Sequence, residues 1–338
     1  MKVRNLVYHL VLGLVIFAPI TLFGQQNVLF TQYLFNSINE NPAYSGYKEL
    51  WNVQMNLRSQ WSGWDGAPRT GAVYVDGVLD PVGKRHAVGM VLTSDKLGAQ
   101  DAQSFFANYA FRIQVDQNPE NRLAFGVAGG VTAYALDGNK LDAVQDGDAV
   151  LPTGKISTFR PDIRLGVHYS TARYYVGASI QDLFAGSDSE NDYRFNMNTL
   201  SSLYRNIHYY FMAGGLFDLQ DDLKLRPSLL VKDDFKGPTM LDLNAMFIFG
   251  DNLWLGAGYR SRAKIFNRDY SEYGNDKLSN SSTLSAVAQL AVNERFRFGY
   301  SYDYYVSKMS GVQQGTHELS LSYQIPIKGQ FKAKPKFF

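Results

Sequence analysis

From Arg295 to Val306 every second residue is aromatic or apolar. Phe296, Phe298, Tyr300, Tyr302, Tyr304 and Val306 fall on one face, while Arg297, Gly299, Ser301 and Asp303 fall on the other. Successive side chains of a strand point to opposite sides, so this period of two predicts a strand with one apolar and one polar wall. His317 to Ile327 repeats it, with Leu319, Leu321, Tyr323 and Ile325 opposed to Glu318, Ser320, Ser322 and Gln324. Ser104 to Val115 does so again. In all, 14 such segments can be marked: 50–60, 70–79, 85–94, 102–115, 122–135, 160–170, 173–181, 206–217, 222–232, 239–249, 252–261, 284–293, 295–306 and 316–327. Most run to about ten residues, the length a tilted strand needs to cross a bilayer.

The connections between segments favour a cylinder. The long ones, 136–159, 182–205 and 262–283, all follow odd-numbered segments, whereas those after segments 6, 10 and 12 are only a few residues long. In an up-and-down barrel the two kinds emerge at opposite ends. Spanning barrels of the outer membrane pair long external loops with short periplasmic turns and an even strand number. The reading is therefore all-β: a transmembrane outer-membrane β-barrel of about 14 antiparallel strands.

Composition sharpens this. There are 22 Tyr and 22 Phe, many of them in the alternating segments, and mean hydropathy is −0.22, as expected when lipid-facing and lumen-facing residues average out. With no cysteine there is no disulfide framework and no thiolate metal site. Residues 1–24 read as a signal peptide, with Lys2 and Arg4 ahead of the apolar run Leu6–Phe23. Removing it leaves 31 basic against 31 acidic residues, a balance that argues against a nucleic-acid partner. The remaining division is an N-terminal periplasmic segment at 25–49, the barrel at 50–327 and a basic tail at 328–338.

Inward faces carry Lys224, Arg226, Lys232, Asp242, Arg260, Arg297, Asp303 and Glu318. Charges are costly toward lipid, so these predict an ion-paired lumen, with a substrate path as the alternative. Two segments break the pattern. Phe30–Tyr47 is too apolar for a free tail and contains the turn signals Asn41-Pro42 and Ser45-Gly46. Tyr33, Phe35, Asn41, Pro42 and Tyr44 in it are candidates for a plug or a partner contact. Arg58–Thr70 offers Trp61, Trp64 and Arg69, residue types that anchor protein contacts.

Enzymatic motifs are sparse. The five His are scattered, with no H-E-x-x-H and no G-x-S-x-G. His208 and His317 show no carboxylate partner at fixed spacing. The acidic patch Asp142–Asp148 lacks the spacing and closing Glu of a calcium loop. No catalytic residue, cofactor or metal is expected.

FTQYLFNSINENPAYSGY (30–47), RSQWSGWDGAPRT (58–70), LDLNAMFIFGDNLWLGAGYRS (241–261), FRFGYSYDY (296–304) and GTHELSLSY (315–323) together resemble the PorP/SprF membrane proteins of the Bacteroidetes type IX secretion and gliding system. The resemblance implies a non-enzymatic outer-membrane barrel that supports secretion or surface attachment of cargo such as adhesins. Its partners would be type IX secretion components, the cargo protein and outer-membrane lipid. The alternative is a general porin or solute transporter.

Overall fold

The computed structural model describes residues 28–141, 154–185, 206–250, 252–263, 282–306, 313–326 and 336–338. The expected signal peptide, the acidic patch 142–148 and most of the three long connections lie outside them.

The alternating segments form β1 (Trp51–Ser59), β2 (Arg69–Val78), β3 (His86–Leu97), β4 (Gln100–Gln114), β5 (Arg122–Asp137), β6 (Lys155–Ser170), β7 (Tyr174–Gln181), β8 (His208–Gly215), β9 (Phe217–Gln220), β10 (Leu223–Asp233), β11 (Thr239–Phe249), β12 (Leu253–Ala263), β13 (Ser282–Ala291), β14 (Phe296–Val306) and β15 (Thr316–Ile325). Each barrel strand pairs antiparallel with its neighbours in the chain, and β1 pairs with β15 from Trp51↔Ile325 to Ser59↔His317. That seam closes the sheet into a cylinder, although β6 from 155 to 164 runs past the end of β7 and has no strand partner on that side among the described residues.

The predicted single segment 206–217 is interrupted. β8 and β9 both pair with β10, on either side of a break at Leu216, whose side chain turns inward. They are one stave of a 14-stave barrel. β5 and β6 also outrun their predicted ends, pairing as far as Asp137↔Lys155, which shortens the expected 136–159 connection. The β3–β4 link is only Gly98-Ala99, with Gly98 at φ +55°, a left-handed conformation that suits glycine.

The wall has the expected polarity. Phe298, Tyr300 and Leu321 are 45%, 39% and 45% exposed on the outside, whereas Ser301, Asp303 and Glu318 are each 1% exposed within. Exterior apolar side chains facing hydrocarbon and a closed backbone hydrogen-bond network are what a bilayer demands of a spanning sheet. Among the described residues no helix is long and apolar enough to cross a membrane.

The core of the molecule lies inside the cylinder. Residues 28–50, expected as a segment on the periplasmic side, run through the lumen. Phe30, Tyr33, Leu34, Phe35, Ile38 and Tyr44 are all nearly or fully buried. Two short 3-10 turns, Thr31–Phe35 and Pro42–Tyr44, give this segment its shape.

Candidate functional site

The first turn is tied to the staves beside the seam. Glu318 on β15 accepts the backbone N–H groups of Thr31 (2.9 Å) and Gln32 (3.1 Å). A carboxylate at the N-terminus of a helical turn satisfies donors that have no intrahelical partner. Thr31 Oγ1 donates to Asp303 on β14 at 2.8–2.9 Å. Arg58 on β1 spans both acids, Nη1 donating to Glu318 (3.0 Å) and Nη2 to Asp303 (2.9 Å). Three staves and the internal segment therefore meet at one guanidinium. Arg260 on β12 extends the cluster, donating to Asp242 at 2.6 Å and to Thr31 at 3.2 Å. Asn244 donates to Tyr33 Oη at 3.0 Å, and Arg226 donates to the Leu34 carbonyl at 2.7 Å.

The second turn rests on the opposite wall. Asn41 caps it, its Oδ1 accepting from Ala43 N (2.9 Å), while its Nδ2 donates to the Val167 carbonyl of β6 (2.9 Å). The wall there is flat because Gly126 of β5 and Gly166 of β6 face each other in register. A Cβ on Gly126 would sit 2.2 Å from Ala43 N, and one on Gly166 would sit 2.0 Å from Asn41 Oδ1. Only glycine permits so close an approach. Gln181 and Ser179 on β7 donate to the Asn39 and Glu40 carbonyls.

Beyond this turn Arg112 donates to the Gly46 carbonyl at 2.7 Å. Glu49 gathers Lys84 (2.5 Å), Arg112 (3.4 Å), Arg122 (3.6 Å) and Lys336 (3.8 Å). Burial pushes its carboxyl up, but Lys336, Lys84 and Arg112 outweigh burial and hold it below the usual range. The tail enters here too. Tyr44 Oη donates to the Phe338 carbonyl at 2.6 Å, Phe337 stacks on Trp254, and Phe338 packs on Tyr175 with ring centroids 4.9 Å apart.

The eight charges assigned to the lumen have these places. Asp242, Arg260, Asp303 and Glu318 join one cluster with the first turn. Arg226 is 1% exposed and bound to that turn's carbonyl. Lys224 lies over the Phe337 ring at 4.5 Å, Arg297 faces Trp254 at 5.9 Å, and Lys232 faces Tyr210 at 5.6 Å. Of the eight contact candidates, Tyr33, Phe35, Asn41, Pro42 and Tyr44 are buried in the lumen. Trp61, Trp64 and Arg69 lie apart from them, at the loop end. Trp61 and Trp64 pack edge to face at 6.0 Å, and Trp64 stays 46% exposed.

Sequence reading passed over Arg58, Arg112, Arg122, Glu49 and Trp254. Arg58 ends the row Asn52, Gln54, Asn56, Arg58, whose even spacing on β1 marks it as inward. His208, for which the sequence shows no carboxylate partner at fixed spacing, has one in space: its Nδ1 lies 2.9 Å from Asp182 Oδ2, both buried. The two residues are 26 positions apart, and the pair forms only when β7 and β8 come together. Among the described residues no group of three or more His, Cys, Asp or Glu is placed to hold a metal.

Similarity to solved structures is loose. The CymD monoaromatic hydrocarbon channel matches at TM-score 0.48 and 11% identity, covering 90% of this chain and 95% of that one. The Acinetobacter baumannii outer membrane protein Omp33 matches at 0.45 and 7%, covering 82% and 98%. A Pseudomonas aeruginosa FadL homologue matches at 0.43 and 12%, covering 86% and 93%. No curated protein matches this chain. The family model described as type IX secretion system membrane protein PorP/SprF matches residues 22–323, a span that takes in the internal segment and all 15 strands up to Tyr323. An outer-membrane barrel that carries this much of the family's sequence, lumen segment included, belongs to the PorP/SprF family of type IX secretion membrane proteins.

Proposed function

We propose that this barrel is a non-enzymatic docking component of the type IX machinery, supporting secretion or surface attachment of cargo such as adhesins, and gliding where cells glide. The observation that carries the reading is the lumen segment. It is bonded to β14, β15 and β1 on one side and to β6 and β7 on the other, where it also lies flat on the glycine of β5. A path for solutes has to run where these residues sit, which weighs against a general porin or transporter. What remains for contact is the two rims. By the usual arrangement of such barrels the long loops face outward and the short turns face the periplasm. Trp61 and Trp64 then offer an aromatic anchor to cargo at the outer rim. The opposite mouth, closed over the largely buried Glu49–Lys336 pair, is the face offered to periplasmic secretion components.

The test is a chromosomal deletion combined with affinity purification of the tagged barrel in mild detergent. The expected result is loss of one or a few surface proteins from the deletion strain, and recovery of type IX components with the barrel. An unchanged surface proteome together with a barrel that purifies alone would refute the proposal.

A further inference from the structure

The lipid face carries a built feature at its loop end. A groove of about 520 Å³ crosses the outside of β1 to β6. Its course follows one row of the sheet: Leu57↔Gly71, Gly71↔Ser94, Ser94↔Gln103, Gln103↔Ala133 and Ala133↔Phe159. Large side chains, Leu57 and Phe159, stand at the two ends, and small or slender ones lie between. The row below, toward mid-membrane, is apolar and includes Val73, Leu92 and Phe105.

One row above, two residues along each strand or about 6.6 Å nearer the loop rim, the register sets Arg69 directly opposite Lys96. Both are exposed, and among the described residues neither side chain makes a hydrogen bond or ion pair. The neighbouring carboxylates are engaged elsewhere. Asp101, opposite Lys96 on β4, pairs with Lys155 at 3.5 Å, and Asp65 in the β1–β2 loop accepts from Gly66 N. Like charges placed directly opposite on one sheet face destabilise it unless an anion lies between them. An Arg–Lys pair presents several donors to a phosphate, with the Arg fork suited to two of its oxygens.

We infer that this groove is a binding site for a phosphate-bearing membrane lipid, with an acyl chain lying along the Gly71–Ala133 row and the phosphate held between Arg69 and Lys96. The two parts match the two ends of such a molecule, apolar below and cationic above, at the depth where a lipid changes from chain to headgroup. Arg69, a protein-contact candidate by residue type, faces lipid in this arrangement. Lipid bound here buttresses the hairpin whose loop carries Trp61 and Trp64, the outer-rim anchor.

Native mass spectrometry of the whole barrel in detergent tests the site, with phosphatidylglycerol or the phosphate-free lipid diacylglycerol as probe. The unmodified protein should retain phosphatidylglycerol at least about ten-fold better, the scale of one charge-assisted contact. Arg69→Gln with Lys96→Gln should remove that preference. Gly71→Leu, which fills the groove, should weaken retention of both lipids. Heat-modifiable migration in gels confirms that each variant is folded; the single charge substitutions replace the pair if it fails to fold. Equal retention of the two lipids by the unmodified barrel, or unchanged retention in the variants, would overturn the site. So would displacement by inorganic phosphate alone, which would mean an anion site without a lipid.

Discussion

At the scale of single residues, the interior depends on charges that answer one another. Arg58 illustrates it. Its guanidinium meets Asp303 and Glu318, all three nearly out of reach of solvent. Replacing Arg58 with Leu leaves two buried carboxylates facing each other and removes a link across the seam. Breaking a buried pair by removing one partner costs about 3–5 kcal/mol. The Arg58→Leu barrel should therefore lose its compact gel form at a clearly lower temperature, as heat-modifiable migration would report. Glu40 gives a pH dependence. Burial pushes its carboxyl from 4.5 up to about 7. The folded protein therefore keeps a proton that the unfolded chain releases across this interval. Stability contributed at Glu40 is highest near pH 4.5 and below, declines as pH rises toward 7, and changes little above that. Unfolding by urea at a series of pH values should show a slope over that interval, and Glu40→Gln should flatten it. Arg58 was legible in principle from the even-numbered inward row of β1. Trp254 was not, since an aromatic near a strand end fits the membrane interface as well as the lumen. Only the approach of Phe35 and Phe337 shows where it lies.

At the scale of elements, the staves were readable because each has one wall in lipid and one in a polar interior, and that difference writes a period of two along the chain. The lumen segment has no such period. Its 3-10 turns are three and five residues long, and their partners lie far off in sequence, with Thr31 to Glu318 spanning 287 positions. Its apolar character foretold that it docks, but nothing local foretold where. The glycine floor at Gly126 and Gly166 is equally silent, because glycine in a strand also marks bulges and bends. Deleting residues 28–48 should convert an occupied lumen into an aqueous passage. Planar-bilayer recordings should give little steady current from the complete protein and a large one from the truncated form. A large current from the complete protein would mean that the segment does not fill the lumen in a bilayer.

At the scale of the whole molecule, strand count, closure and the separation of long from short connections all followed from pattern and spacing. The break at Leu216 and the length of β5 and β6 did not. The first is a local irregularity inside a good alternating run, and the second extends pairing into residues whose composition reads as loop. The seam has a further consequence for assembly. Thr31 and Gln32 of the internal segment bond to the final hairpin, and the acids around them also hold β1 to β15. Zipping the cylinder shut and seating its filling are thus one event, with the filling as a template for the join. A variant that cannot seat its leading residues should close more slowly, passing longer through an open, protease-sensitive sheet on its way to the empty tube.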